Sequence, residues 1–313
     1  LWTSPVTFVA SANCGLYCKA HIDFVDINPL TGLMSIEALK IKLQNAEIQG
    51  KLPKVLIPVH LAGASCDMKA IKDLAKKYKF SIIEDASHAI GGKYNNKPVG
   101  SCEYSDICVF SLHPVKIITT GEGGLATTNN KILAEKMSDL RSHGITKDKN
   151  RFKGKSPGPW AYEQQLLGFN YRMTDFQAAL GISQLKRLEK IVSERNKQYI
   201  IYNDLLSDLP VNLLKIMENV HSSVHLGIIS LEEPKNILHK KVFKFLRDSG
   251  IGVQLHYSPV HLQPYFREIG FNDGDFPKSE EYAKSSFSLP LYPGLTCNEI
   301  KYVVKMITKV LDV

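Results

Sequence analysis

VLIPVHLAGASCDMKAIKDLAKKYKFSIIED, running from Val55 to Asp85, is the stretch whose reading decides the fold. Its start, Val55-Leu56-Ile57-Pro58-Val59-His60, is an apolar run closed by the glycine turn His60-Leu61-Ala62-Gly63, and it reads as a buried strand. Asp67 to Tyr78 has helical periodicity, with Ile71, Leu74 and Ala75 on one face and Lys72, Lys76 and Lys77 on the other. Ser81-Ile82-Ile83-Glu84-Asp85 is a second apolar run, and it ends in a carboxylate. Strand, helix and strand at this spacing predict a right-handed βαβ unit in a parallel sheet. Ligands of such sheets bind at the carboxyl ends of the strands. His60 and Asp85 are therefore both expected at the active edge.

Downstream, Ile107-Cys108-Val109-Phe110 reads as the next buried strand, with Ser111 at its end. Lys116 follows in the loop Ser111 to Gly124, with glycines after it rather than helix formers. A lysine held between a strand end and a glycine turn can be desolvated, which lowers its pKa and frees the amine to form a Schiff base. Taken singly, Lys116 reads equally as a solvated loop lysine, and Asp85 as a cap or turn residue. Together, an acid one strand before a lysine matches a pyridoxal phosphate site. There a carboxylate pairs with the ring nitrogen and a lysine holds the aldehyde carbon.

Five ordered words carry a family resemblance: TFVASAN (Thr7 to Asn13), EDASHAIG (with Asp85 and His88), FSLHPVKIITTGEGG (with Lys116), RSHGI (Arg141 to Ile145) and GFNYRMTDFQAALG (with Asn170). The sequence resembles the sugar-nucleotide aminotransferases of the DegT/DnrJ/EryC1/StrS family. A sixth word, GIGVQLHYSP (Gly250 to Pro259), is similar to the branch that makes a 4-amino precursor of pseudaminic acid. The resemblance implies an α/β chain with the type I pyridoxal-phosphate-dependent aminotransferase fold. Its large domain, residues 1–204, would hold a mostly parallel central sheet. Residues 205–313 would form a small α+β C-terminal domain.

The resemblance also implies roles. Lys116, Asp85 and His88 would be catalytic. The same three would bind the cofactor together with the Ser111 hydroxyl and Asn170. Asn170 would reach the cofactor phosphate of a neighbouring subunit, making the active unit a homodimer with composite sites. Gln254, Leu255, His256 and Tyr257 would contact substrate, a nucleotide-linked 4-keto-6-deoxy sugar aminated at C4, with glutamate as amino donor. Family members carry a segment ahead of the point matching Leu1, with a Ser/Gly-Thr-Ala loop that cradles the cofactor phosphate. The alternative expectation is a non-catalytic scaffold or regulator of the same fold, inactive for want of that segment. A sister sugar dehydratase has histidine where this sequence has Lys116, and a nucleotide-binding dehydrogenase would need a G-x-G-x-x-G after its first strand, which is absent here.

The remaining sequence fits an ordinary globular protein. Its 313 residues are 44% hydrophobic and 22% charged, without a low-complexity tract or repeat. The formal charge of +8 is scattered apart from Lys147, Lys149, Arg151, Lys153 and Lys155. That cluster reads as a solvated loop, and a basic surface suits an anionic nucleotide sugar better than it implies nucleic acid. No run is long and apolar enough for a membrane span. The six cysteines form no disulfide-like framework, which points to reduced thiols and a cytoplasmic protein. Cys14 with Cys18, and His256 with His261, lack the partners a metal site needs, so no metal is expected.

Further elements come from periodicity. Val6 to Ala10 is expected as a strand or short helix, Ala20 to Asp26 as a strand, and Ser35 to Gln44 as a helix capped by Ser35. Lys131 to Ser142 reads as a helix, Gly144 to Tyr162 as a mobile loop, and Asp175 to about Ile201 as one long helix. Val224 to Leu231 reads as a strand, Lys240 to Asp248 as a helix, Val253 to Tyr257 as an extended run, and Asn298 to Leu311 as the last helix.

Overall fold

A computed structural model describes residues 1–232 and 236–312. Its central sheet has six strands, in the order Asp23–Phe24, Trp2–Thr3, Val55–Ile57, Ser81–Asp85, Ile107–Ser111 and Gly124–Thr127. The first five are parallel, and Gly124–Thr127 closes the edge antiparallel to Ile107–Ser111. The mostly parallel α/β architecture is thus the expected one. Helix Met68–Tyr78 makes the crossover between Val55–Ile57 and Ser81–Asp85, and Asp67 caps it by accepting from Ala70 N at 3.1 Å. Ser35 caps Ile36–Ile48 in the same way, and Leu39 and Leu43 on its inner face are fully buried.

Several boundaries differ from expectation for physical reasons. Val55–Ile57 stops before Pro58, which has no N–H to give the ladder. Pro58 still accepts from Asp85 N at 3.0 Å, and Val59 bridges to Asp85, so the two chain segments stay paired to the sheet edge. The expected strand or helix at Val6 to Ala10 is instead the turn between strand Trp2–Thr3 and helix Ala10–Tyr17. The strand expected from Ala20 shrinks to Asp23–Phe24, the part that finds a partner in Trp2–Thr3.

The single long helix expected after Asp175 is two, Asp175–Leu185 and Leu188–Leu206. The halves pack on different partners. Gly181 lets the first lie against Thr120, where a Cβ would come within 2.9 Å of the threonine methyl, while Leu188 and Val192 of the second close over Gly91. Within the loop 144–162 and just beyond it, Ile145–Thr146 pairs with Glu163–Gln164. In the basic cluster there, Arg151 pairs with Asp139 while Lys147, Lys149, Lys153 and Lys155 are exposed.

A second core surrounds the three-stranded antiparallel sheet Val211–Leu213, Gly227–Leu231 and Ser286–Leu289. Helices Leu188–Leu206, Asn236–Asp248 and Cys297–Leu311 pack around it through Tyr202, Val242, Leu246, Ile300 and Ile307. Thr296 and Glu299 form a reciprocal cap at the start of the last helix. The extended run expected at Val253 to Tyr257 is not a strand. Only Gln254 bridges to Ser288, and Tyr282 donates to His256 O at 2.7 Å, tying down the end of the run.

Candidate active site

The strand ends Ser81–Asp85 and Ile107–Ser111 open on a cavity of about 540 Å³. Asp85, His88, Ser111, Lys116 and Tyr257 all line it, together with Thr7 and Phe8. The volume is in the range of small-molecule sites.

Strand alternation explains how Asp85 gets there. Glu84 and Asp85 are neighbours, so their side chains leave opposite faces. Glu84 is buried with His60 Nε2 at 2.7 Å, and Ser105 also donates to it. His60 is therefore at the expected edge in its backbone, donating to Asp85 O at 3.0 Å, but its ring is buried on the far face and does not reach the cavity. Asp85 faces the cavity. Ser11 Oγ donates to its Oδ2 at 2.6 Å and Ser87 N donates to its Oδ1 at 3.0 Å, which fixes the carboxylate plane. Thr7 and Ser11 share a hydrogen bond at 2.8 Å, extending that support. Ser11 lies inside a family word, yet its contact with Asp85 spans 74 residues and no local pattern announces it.

Lys116 is held by its loop. Lys116 N donates to His113 O at 3.0 Å, and Thr120 N and Thr119 Oγ1 both donate to Leu112 O at 3.0 Å. Ile117 and Ile118 are buried beside Phe110 and Leu112, so the loop is anchored on both sides of the lysine. Gly123 is required because a Cβ there would collide with Thr120 Oγ1. Burial lowers the Lys116 pKa below the usual lysine range, and Asp85 offsets part of the effect. Ser111 Oγ accepts a long bond from His113 N at 3.4 Å, leaving its proton free for an acceptor in the cavity. His113 also lines the cavity.

His88 is a buried residue of the same cavity. Its Nε2 lies 3.1 Å from the Tyr257 hydroxyl, a contact across 169 residues, and its Nδ1 is buried with no hydrogen-bond partner. Burial, then His225, Lys116 and His256, hold its pKa well below the ordinary imidazole value. Burial and Lys116 push His256 down to about 4, and burial and Asp85 push the Tyr257 phenol up to about 12. At neutral pH these imidazoles are uncharged and the phenol keeps its proton.

The remaining expected residues are placed less uniformly. Of the four expected substrate contacts, only Tyr257 lines the cavity. His256 Nδ1 is bound to Ser288 Oγ at 2.7 Å, Gln254 is exposed beside Ser288, and Leu255 is half-buried. Asn170 is exposed, bridges to Ser142 and lies outside the cavity. His256 and His261 do not converge, since His261 pairs with Glu280 at 3.2 Å. Among the described residues no cluster of three or more metal-type ligands occurs. Phe8 and His225 are the residues that sequence reasoning missed. Phe8 is 61% exposed on the cavity wall despite being aromatic, and His225 packs behind His88.

The donor set fits pyridoxal phosphate. The cavity offers a carboxylate that is already oriented, a desolvated amine, a free hydroxyl at a strand end and an uncharged imidazole with an unpartnered nitrogen.

The family model described as the DegT/DnrJ/EryC1/StrS aminotransferase family matches residues 1–308. A UDP-4-amino-4,6-dideoxy-N-acetyl-beta-L-altrosamine transaminase of Campylobacter jejuni is 34% identical over 312 residues, covering 99% of this chain and 78% of that protein. The Helicobacter pylori aminotransferase PseC, involved in biosynthesis of pseudoaminic acid, superposes with a TM-score of 0.89 at 30% identity, covering 99% of this chain and 79% of its own. The PLP form of Spr1654, a putative sugar aminotransferase from Streptococcus pneumoniae, superposes with a TM-score of 0.87 at 27% identity, covering 99% and 80%.

Proposed function

The chain belongs to the DegT/DnrJ/EryC1/StrS aminotransferase family, which are pyridoxal-phosphate-dependent sugar aminotransferases, and from that premise we propose that it moves an amino group from glutamate to C4 of a nucleotide-linked 4-keto-6-deoxy sugar on the way to pseudaminic acid. The observation that carries this reading is one cavity walled by both Lys116 and Asp85, with the lysine desolvated. The two relatives that act in amino-sugar synthesis support the choice of C4 and of the pathway.

Pyridoxal phosphate, when bound, supplies an electron sink for the charge left on a carbon that loses its proton. Lys116 and Asp85 would hold it, with His88 alongside and the Ser111 hydroxyl on its phosphate. Asp85, kept in plane by Ser11 and Ser87, would keep a proton on the cofactor's ring nitrogen. Lys116 takes a proton from the donor's α-carbon and later returns one to the other partner. Its lowered pKa leaves more free amine at neutral pH than an exposed lysine has, which is what a general base needs. His88 and His256 add no positive charge beside that amine because burial keeps both uncharged. Tyr257 closes the wall next to Phe8, their rings 6.3 Å apart.

Addition of pyridoxal phosphate should produce the absorbance band of a lysine adduct. Borohydride reduction and peptide mapping should then leave the label on the peptide containing Lys116. Label on another lysine, or no band at all, defeats the reading and favours a scaffold of the same fold.

The active unit is read as a homodimer. Large apolar side chains are exposed along residues 160–185, among them Trp160 (77%), Leu167 (87%), Tyr171 (72%) and Phe176 (91%). Soluble monomers seldom leave so much apolar surface open, and Asn170, the residue expected to cross to a neighbouring site, lies within the stretch. Sedimentation should give twice the 35.0 kDa chain mass, and Phe176→Glu should shift it toward the monomer. A wild-type monomer at micromolar concentration rules this assembly out. All six cysteines are free, which supports a cytoplasmic location.

A further inference from the structure

Residues 222–225 press against the turn that comes after strand Val55–Ile57. Ser223 N donates to Gly63 O at 3.1 Å, His225 N donates to Ala62 O at 2.8 Å, and Ser223 Oγ donates to His88 O at 2.8 Å. A Cβ on Gly63 would stand 2.7 Å from Ser223 Oγ and 2.9 Å from Val224 N, so only glycine permits the approach. Two non-glycine residues at the contact are left-handed, Ala62 at φ 58° and Val224 at φ 46°. A β-branched residue adopts that conformation only where its surroundings impose it. Here Arg195 imposes it. Its buried guanidinium donates to Val224 O at 3.4 Å, His225 O at 3.2 Å and Leu291 O at 2.9 Å.

The strained, clamped turn delivers one side chain to the site. The His225 ring lies 4.5 Å, centroid to centroid, from that of His88. On its other side His88 meets Tyr257, with rings 6.1 Å apart and inclined 25°. Nδ1 of both histidines is buried and unpartnered, and with Nε2 of His88 accepting from Tyr257 a second proton on that ring would remove the acceptor and place a charge among buried groups. We propose that His225 is a positioning residue for the reaction: packed on His88, it keeps that ring dry and uncharged, so that His88 Nε2 stays an acceptor for the Tyr257 hydroxyl on the cavity wall. The groups facing His88 are Lys116, His256, Tyr257 and His225, with Arg195 behind His225 and Asp85 in the same cavity. None of them supplies a carboxylate in contact with His88 that would favour its charged form. The proposal rests on the reading of the cavity as the aminotransferase site.

His225→Asn shrinks the packing and admits water, which lets His88 titrate near the ordinary imidazole value. The acid limb of kcat/KM should then rise toward pH 6.5, lowering the rate at pH 6 relative to pH 8 by about fourfold against wild type. KM for the amino donor at pH 8 should not change. His225→Phe fills the same space and should keep the wild-type profile. In cofactor-free protein, the NMR signal of the His88 ring should titrate near neutrality in the asparagine variant alone. Where that variant is not recovered folded, His225→Gln replaces it. An unmoved acid limb with an unmoved His88 titration overturns the proposal, and so does a phenylalanine variant that behaves like the asparagine one. The cofactor-free titration reads the His225–His88 contact even if the cavity proves not to be the reacting site, so the two ideas fail separately.

Discussion

Lys116→Ala should lower kcat by roughly ten-thousandfold, the upper range for losing a positioned proton carrier. The reason is local. Lys116 is the amine lining the cavity, and burial weakens its hold on a proton. Among the described residues no other lysine lines that cavity, so none of them stands ready to replace it. Its neighbours Ile117 and Ile118, not Lys116 itself, anchor the loop in the core. Truncation at Lys116 should therefore leave the unfolding midpoint nearly unchanged, which separates loss of chemistry from loss of fold. Lys116→Arg should be almost as inactive, because guanidinium does not give up its proton near neutral pH. Steady-state rates with an amino donor and a keto sugar test this, and a variant retaining a tenth of wild-type kcat removes the lysine from the mechanism.

Arg195→Met should cost roughly 2–4 kcal/mol of stability. Two effects oppose each other. Arginine removed from the interior relieves a desolvation penalty, since burial lowers its pKa from 12.5 to about 10, a penalty of roughly 3 kcal/mol. Against that, three buried carbonyls lose their donor, at about 1–3 kcal/mol each. The second effect is the larger, and methionine fills most of the space, so a cavity adds little. Release of the clamp should also let Val224 relax from its left-handed conformation, loosening His225 against His88. Denaturant titration at pH 7 should show the lower midpoint, and a change below about 1 kcal/mol would mean the carbonyls find other donors.

Much of the frame can be read in the residues themselves. The short apolar runs within Ser81–Asp85 and Ile107–Ser111 are bounded by polar and turn residues, so their strands are legible with near-correct ends. Caps at Ser35, Asp67 and Thr296 mark three helix starts by the same local chemistry. The break at Lys186–Arg187 is not legible, since neither residue is a helix breaker and the turn answers to packing on Thr120 and Gly91. His60 shows the same limit at one side chain. Its position at the sheet edge is legible, but the face its ring takes is decided by its pairing with Glu84.

By itself the sequence determined the parallel α/β frame, the loop that carries Lys116 and the carboxylate at the end of the neighbouring strand. Those depend on spacing within a few tens of residues, which periodicity and turn chemistry report. Tertiary structure alone decided the rest of the wall: Ser11 on Asp85, Tyr257 on His88 and His225 behind it. Each of those contacts joins residues 74 or more apart in the chain. Their energy comes from burial and from pairing of polar atoms that meet only once the chain has closed on itself, so no local pattern encodes them.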